Sequence, residues 1–197
     1  METTERIVEA YVRYVKGWAT IPNIKCDGQY EVDLLAVDPA SLKRFHIESG
    51  VSIGSGFSKL TAKPFSDSAL KERVKGPEQR RTLDFFVKRK FGAREVRSKL
   101  AEYGFREGNY TCVIVSWGWT EGAASEAERQ GIELWDFRRI LQEIAQAFGR
   151  TSRYFTDDTL RTLQLFLRAA AQGSGTTNER GRGRPWPGKG AQPARRR

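Results

Sequence analysis

Asp33 and Glu48 are the pair whose types and spacing could do chemistry together. They lie in two apolar runs, residues 30–37 and 44–53, joined by a short turn over residues 39–42. A symmetric hairpin about that turn pairs residues whose numbers sum to 81, so 33 falls opposite 48 and 35 opposite 46. The two acids then share one face, with Cβ atoms about 4.5–5.5 Å apart. A slip of one residue would send them to opposite faces. Like charges so placed destabilise a strand pair unless something neutralises them. A divalent cation does so: Mg²⁺ takes one or two carboxylates and completes its shell with water and substrate phosphate. Two idle acids on an exposed sheet face would write the same pattern.

Other reactive residue types offer less. His46 is the only histidine and shares a strand face with Glu48, two residues away. A lone strand histidine is by default a packed, hydrogen-bonded residue, and a place beside the metal is its functional alternative. With no second histidine and no evident nucleophile partner, a hydrolase triad is not expected. The segment "GSGFSK" lacks the spacing of a phosphate-binding loop. Cys26 and Cys112 show no metal-ligand spacing and are expected as free buried thiols in a reducing compartment.

The elements that must hold the acids follow from periodicity. Ile7, Tyr11, Tyr14, Val15 and Trp18 stand at helical spacing, the helix ending near Gly17. "ATIPNIKC" is extended, and Pro22 favours an edge position. After the hairpin and a loop, "DSALKERVK" and "PEQRRTLDFFVKRKF" are expected as helices, then "AREVRSKLAEYG", closed by Gly104. "NYTCVIVSWGW" reads as an interior strand, with Trp117 and Trp119 on one face for packing rather than base stacking. A helix, a short strand "IELWDF", and helices "RRILQEIAQAFG" and "DDTLRTLQLFLRAAAQ" complete a mixed α/β order. In "EQRRTLDFFVKRK", Arg80, Arg81, Lys88, Arg89 and Lys90 surround the apolar stripe Leu83, Phe86 and Val87. A solvated helix face is the default for such charge, and tracking a phosphate backbone the alternative.

The chain has 197 residues and a net charge of +10, unevenly spread. Residues 173–197 carry seven basic side chains and one acid, a net +6, and their glycine, proline and arginine cannot bury a core. The chain divides into an α/β core over 1–150, a packed C-terminal helix over 151–172 and a disordered basic tail over 173–197. No run reaches the roughly 18–20 apolar residues of a membrane span, and the acid-containing start does not resemble a signal peptide. The expectation is a cytoplasmic protein with a polyanionic partner, DNA first.

Two segments resemble known motifs. Arg182-Gly183-Arg184-Pro185 is similar to the core of an AT-hook, in which arginines flanking a glycine enter the narrow minor groove of A·T-rich DNA. A generic basic tail attracting phosphate is the alternative. The order of elements, with "EVDLLAV" and "FHIESG", resembles the PD-(D/E)xK nuclease superfamily, and "GIELWDF" resembles the final strand and helix of its Mrr-type members. The resemblance covers roughly residues 1–150. It implies a restriction-endonuclease-like fold: a mixed central sheet flanked by helices, here extended by the C-terminal helix and tail. It also implies a Mg²⁺-dependent DNA nuclease, with Mn²⁺ as substitute. Asp33 and Glu48 would be the metal-holding catalytic acids, and Glu5 the supporting glutamate of the first helix, with Glu9 one turn further on. The lysine that should follow in the (D/E)-x-K triplet is Gly50. Either a basic residue from elsewhere fills that role (Lys59, Lys63, Arg80, Arg81 or Lys88), or the domain is a non-catalytic nucleic-acid-binding or assembly module. A second copy of the chain or another protein is a further partner to consider.

Overall fold

The computed structural model describes residues 2–51, 59–72, 76–149 and 155–173. Five strands form one sheet in sequence order: β1 (Ala19–Lys25), β2 (Glu31–Val37), β3 (Arg44–Ser49), β4 (Tyr110–Ser116) and β5 (Glu133–Asp136). The first three are antiparallel, and β4 and β5 continue parallel to β3. Short turns suffice for the antiparallel pairs, whereas the parallel ones require helical crossovers. Pro22 lies on β1 at the sheet edge, where a missing N–H is tolerated.

Helix α1 (Thr3–Ala10) opens with a capping box between Glu2 and Glu5 and runs into a wider, π-type turn over Tyr11–Val15. It covers one sheet face together with α7 (Phe137–Gly149), and α8 (Asp158–Gly173) packs against both helices. That face is apolar: Leu34, Ala36, Phe45, Ile47, Val113 and Val115 meet Val8, Val12, Ile140 and Ile144.

The region before α5 (Arg94–Glu102) differs from the two helices expected there, over residues 67–75 and 77–91. It divides into α2 (Asp67–Leu70), α3 (Gly76–Gln79) and α4 (Leu83–Phe85). The break falls at Thr82, whose hydroxyl accepts from the Phe85 N–H and so starts a new helix. From α4 the chain continues as a π-type segment, Phe86–Phe91. Phe86 and Phe91 from this segment, Val96 and Leu100 from α5, and Ala123 and Ala127 from α6 (Glu121–Arg129) cover the other sheet face.

Two strand expectations are corrected. β3 stops at Ser49, short of Ile53, which falls outside the described residues. β4 stops at Ser116, so Trp117 and Trp119 do not share a strand face: Trp117 joins the α1–α7 cluster and Trp119 the opposite one. Both cysteines are free thiols, though half-buried rather than buried. Among the described residues no helix is long and apolar enough to cross a membrane. The AT-hook-like Arg182, Gly183, Arg184 and Pro185 lie outside the described residues.

Candidate active site

The hairpin register is the one the turn implies: Leu34 pairs with Ile47, Leu35 with His46, Ala36 with Phe45 and Val37 with Arg44. At the next step the carboxylates take over from the backbone. The Asp33 N–H donates to Glu48 Oε1 at 3.3 Å, and the Ser49 N–H donates to Asp33 Oδ2 at 2.8 Å. The two acids therefore converge inside the protein rather than on an exposed face. Asp33 is 6% exposed and Glu48 fully buried.

Lys90, from the π-type segment, brings the positive charge. Its Nζ lies 3.1 Å from Asp33 Oδ1 and 2.5 Å from Glu48 Oε2, and it also donates to the Glu31 carbonyl at 3.3 Å. None of the basic residues singled out as substitutes does this. Lys88 pairs with Asp84 at 2.8 Å, Arg81 Nε donates to the Pro77 carbonyl, and Arg80, Lys59 and Lys63 are exposed. The sequence did carry a signal for Lys90. The stripe Leu83, Phe86, Val87 extends by one more helical step to position 90, where an apolar residue would continue it. A lysine there either snorkels to solvent or meets buried acids. Its side chain is 24% exposed, against 8% and 0% for the side chains of the two acids it meets.

Gly50 explains why the amine comes from elsewhere. A Cβ at this position would lie 2.7 Å from Phe86 Cζ, so the ring occupies the space a side chain would need. Phe86 and Lys90 project from the same turn, one closing position 50 and the other supplying the charge. π-type turns of this kind often occur at functional sites.

His46 Nε2 lies 2.8 Å from Glu48 Oε1. Complete burial, then the nearby Lys90 charge, depresses its pKa to about 3, so the ring is neutral. An ionised carboxylate only accepts, so Nε2 carries the proton and donates to Glu48. The Phe91 edge packs against the ring, with centroids 4.9 Å apart. Nδ1 is buried without a hydrogen-bond partner among the described residues. The histidine is thus a packed residue that also orients one carboxylate.

Burial and then the Glu48 charge push the Asp33 carboxyl up to about 7, against the opposing pull of Lys90. Burial likewise raises Glu48 to about 7. Burial alone would lower the Lys90 pKa, but the two acids outweigh it and the net direction is up, which keeps the ammonium charged. With all three ionised the cluster has a net charge of −1, so it would accept a further positive charge.

Glu5 sits half-buried on α1, and its carboxylate accepts from the Glu2 N–H at 2.8 Å. Burial and then the Asp33 charge raise its pKa, so it feels the site electrostatically. Glu9 is turned elsewhere, pairing with Arg13 at 2.8 Å. No group of three or more His, Cys, Asp or Glu able to hold an ion is formed among the described residues. The donor set does suit a hard cation that takes only two carboxylates from the protein. Asp33 Oδ1 and Glu48 Oε2 already converge on one cation, the Lys90 ammonium.

No family model, curated protein or solved structure matches this chain.

Proposed function

We propose that this chain is a metal-dependent DNA phosphodiesterase of restriction-endonuclease-like fold, with Asp33 and Glu48 as its acid pair and Lys90 as the amine missing at Gly50. The observation carrying this reading is the Lys90 ammonium within 3.1 Å of one buried carboxylate and 2.5 Å of the other. The mixed sheet, antiparallel then parallel, and the first helix bearing Glu5 support the fold reading. The excess of basic side chains after residue 172 supports DNA as substrate.

Asp33 and Glu48 would hold Mg²⁺ or Mn²⁺, which when bound supplies Lewis acidity and neutralises charge developing on the phosphate. His46 fixes the Glu48 carboxylate through Oε1, leaving Oε2 facing Lys90. Since its pKa is raised, Lys90 works as a charged donor rather than a base. It would orient the attacking water or a non-bridging phosphate oxygen and stabilise the transition-state charge. Glu5 adds negative potential from α1.

A second reading, a non-catalytic nucleic-acid-binding or assembly module, is favoured by one specific observation. Three of the four oxygens of Asp33 and Glu48 already accept hydrogen bonds from the protein, and the fourth, Glu48 Oε2, faces the Lys90 ammonium at 2.5 Å. A closed ion cluster of this kind can serve folding alone. Nicking of supercoiled plasmid in Mg²⁺ or Mn²⁺ separates the two. The phosphodiesterase reading expects metal-dependent nicking that Asp33→Ala or Glu48→Ala abolishes with DNA affinity retained, and that Lys90→Ala slows about a hundredfold or more. Nicking that is absent with either metal, or unchanged by Asp33→Ala, overturns it.

A further inference from the structure

The α1-covered face holds a second cluster that plays no part in the acid chemistry. Lys16 follows the π-type turn and precedes Gly17, whose φ of +73° turns the chain away from the helix. Its Nζ stands over three aromatic rings at once, 4.9 Å from the Trp18 centroid, 5.0 Å from Trp135 and 5.4 Å from Tyr11. No carboxylate ion-pairs with it among the described residues. The rings are inclined to one another rather than stacked. Tyr11 meets Trp135 edge-on at 85°, and Trp18 meets Trp135 at 55°, each with centroids 6.1 Å apart.

The walls are fixed from behind. Trp18 stacks on Phe45 of β3 at 4.3 Å, Trp135 belongs to β5, and the Tyr11 hydroxyl donates to Glu143 of α7 at 2.7 Å. Arg139 Nε donates to the other Glu143 oxygen at 2.8 Å, which holds that carboxylate in place. Trp18 and Trp135 are half-buried and Lys16 is exposed, so the cluster opens to solvent through the lysine.

The dimensions decide which cation this arrangement suits. An N–H extends only about 1.0 Å from its nitrogen. At 4.9–5.4 Å a primary ammonium therefore leaves a gap before each ring. An N-methyl carbon lies about 1.5 Å from nitrogen and touches a ring carbon at about 3.5–4.0 Å, which puts the nitrogen roughly 5.0–5.5 Å from the ring. A quaternary ammonium is also weakly hydrated, so its transfer from water to three rings costs less. We propose that Tyr11, Trp18 and Trp135 form a binding site for a quaternary alkylammonium group, with the Lys16 ammonium as its intramolecular occupant. The ligand chemistry is a trimethylammonium head, on a free small molecule or on a trimethylated lysine side chain. This site stands independently of the acid pair and of the nuclease reading.

Titration of the full-length chain, followed by tryptophan fluorescence and calorimetry, tests it with four probes. These are choline, its neutral isostere 3,3-dimethylbutanol, a peptide bearing one trimethyllysine, and the same peptide unmodified. The expected result is saturable binding of choline, at least about tenfold tighter than the isostere. Lys16→Gln, at an exposed position, should tighten it about fivefold or more, because the internal competitor is gone. If the trimethyllysine peptide binds more tightly than both choline and the unmodified peptide, the head belongs to a protein side chain. If it binds no better than choline, the head belongs to a free cation. Equal affinity for choline and 3,3-dimethylbutanol, or no saturable choline response in either the native chain or Lys16→Gln, overturns the proposal.

Discussion

On one face of the sheet, Val8, Val12, Ile47, Val115 and Ile144 pack together, none more than 2% exposed. On the other, His46 and Glu48 are buried as completely, beside Asp33 and Lys90. Equal burial has opposite consequences on the two faces. Apolar burial contributes roughly 25 cal/mol per Å² toward folding. Desolvating charge costs several kcal/mol per ion, which an ion pair recovers only with complete hydrogen bonding. Apolar residues on both faces stabilise the sheet, and the charged cluster uses part of that stability to hold two carboxylates where their proton affinities rise. Acids perturbed in this way cluster at functional sites, and structural ion-pair networks produce the same shift.

The largest expected effect comes from breaking the charged face on one side only. Lys90→Ala leaves two buried carboxylates without their cation and should cost about 3–5 kcal/mol in urea unfolding near neutral pH, and on the phosphodiesterase reading nicking should slow about a hundredfold or more. Ile144→Ala opens a cavity on the apolar face and should cost about 2–5 kcal/mol, while metal-dependent nicking per folded molecule stays unchanged. A loss of nicking in Ile144→Ala would mean the two faces are not separable. Gly50→Lys drives a side chain into the Phe86 ring and should cost about 1–3 kcal/mol by overpacking. Phe86→Leu should relieve part of that cost, seen as a non-additive double-mutant cycle.

The smallest effect is a pH dependence, read against the Asp33→Ala, Glu48→Ala, Lys90→Ala triple variant so that other groups cancel. In the fold both acids titrate near 7, above their ordinary values near 4. Their contribution to stability is thus fully present below about pH 4 and is lost as pH rises through about 7. His46, depressed to about 3, works in the other direction: its contribution is present above about 6.5 and is lost as pH falls toward 3. Two acids outweigh one imidazole, so the native chain should lose melting temperature relative to the variant between about pH 5 and 7.5. Mg²⁺ should reduce that loss. An unchanged difference with and without Mg²⁺ would favour the closed ion cluster over the metal site.

Much of this was legible in the residues. The two apolar runs of β2 and β3 and the turn over residues 39–42 could be read from the residues, and the register implied by that turn brings Asp33 to Glu48. The edge position of Pro22 and the helical crossovers around β4 follow from the missing proline N–H and from the length a parallel connection needs. Local signals were weaker around residues 76–91. There the Thr82 cap competed with a continuous helical stripe and won, and the π-type turn that follows has no strong marker in sequence. Lys90 was visible as a charge in a basic cluster, on the same stripe as Phe86.

By itself the sequence determined the two acids, their shared strand face and the glycine where a lysine was expected, because strand periodicity is a local property. The tertiary structure alone decided that Lys90, 42 residues beyond Glu48, completes the cluster, and that Phe86 closes the space beside Gly50. It also brought Lys16, Trp18 and Trp135 together from the first helix, the start of the sheet and its last strand. Contacts between residues far apart in the chain depend on how helices seat on the sheet. That seating is set by the packing of whole faces, which no short window of sequence encodes.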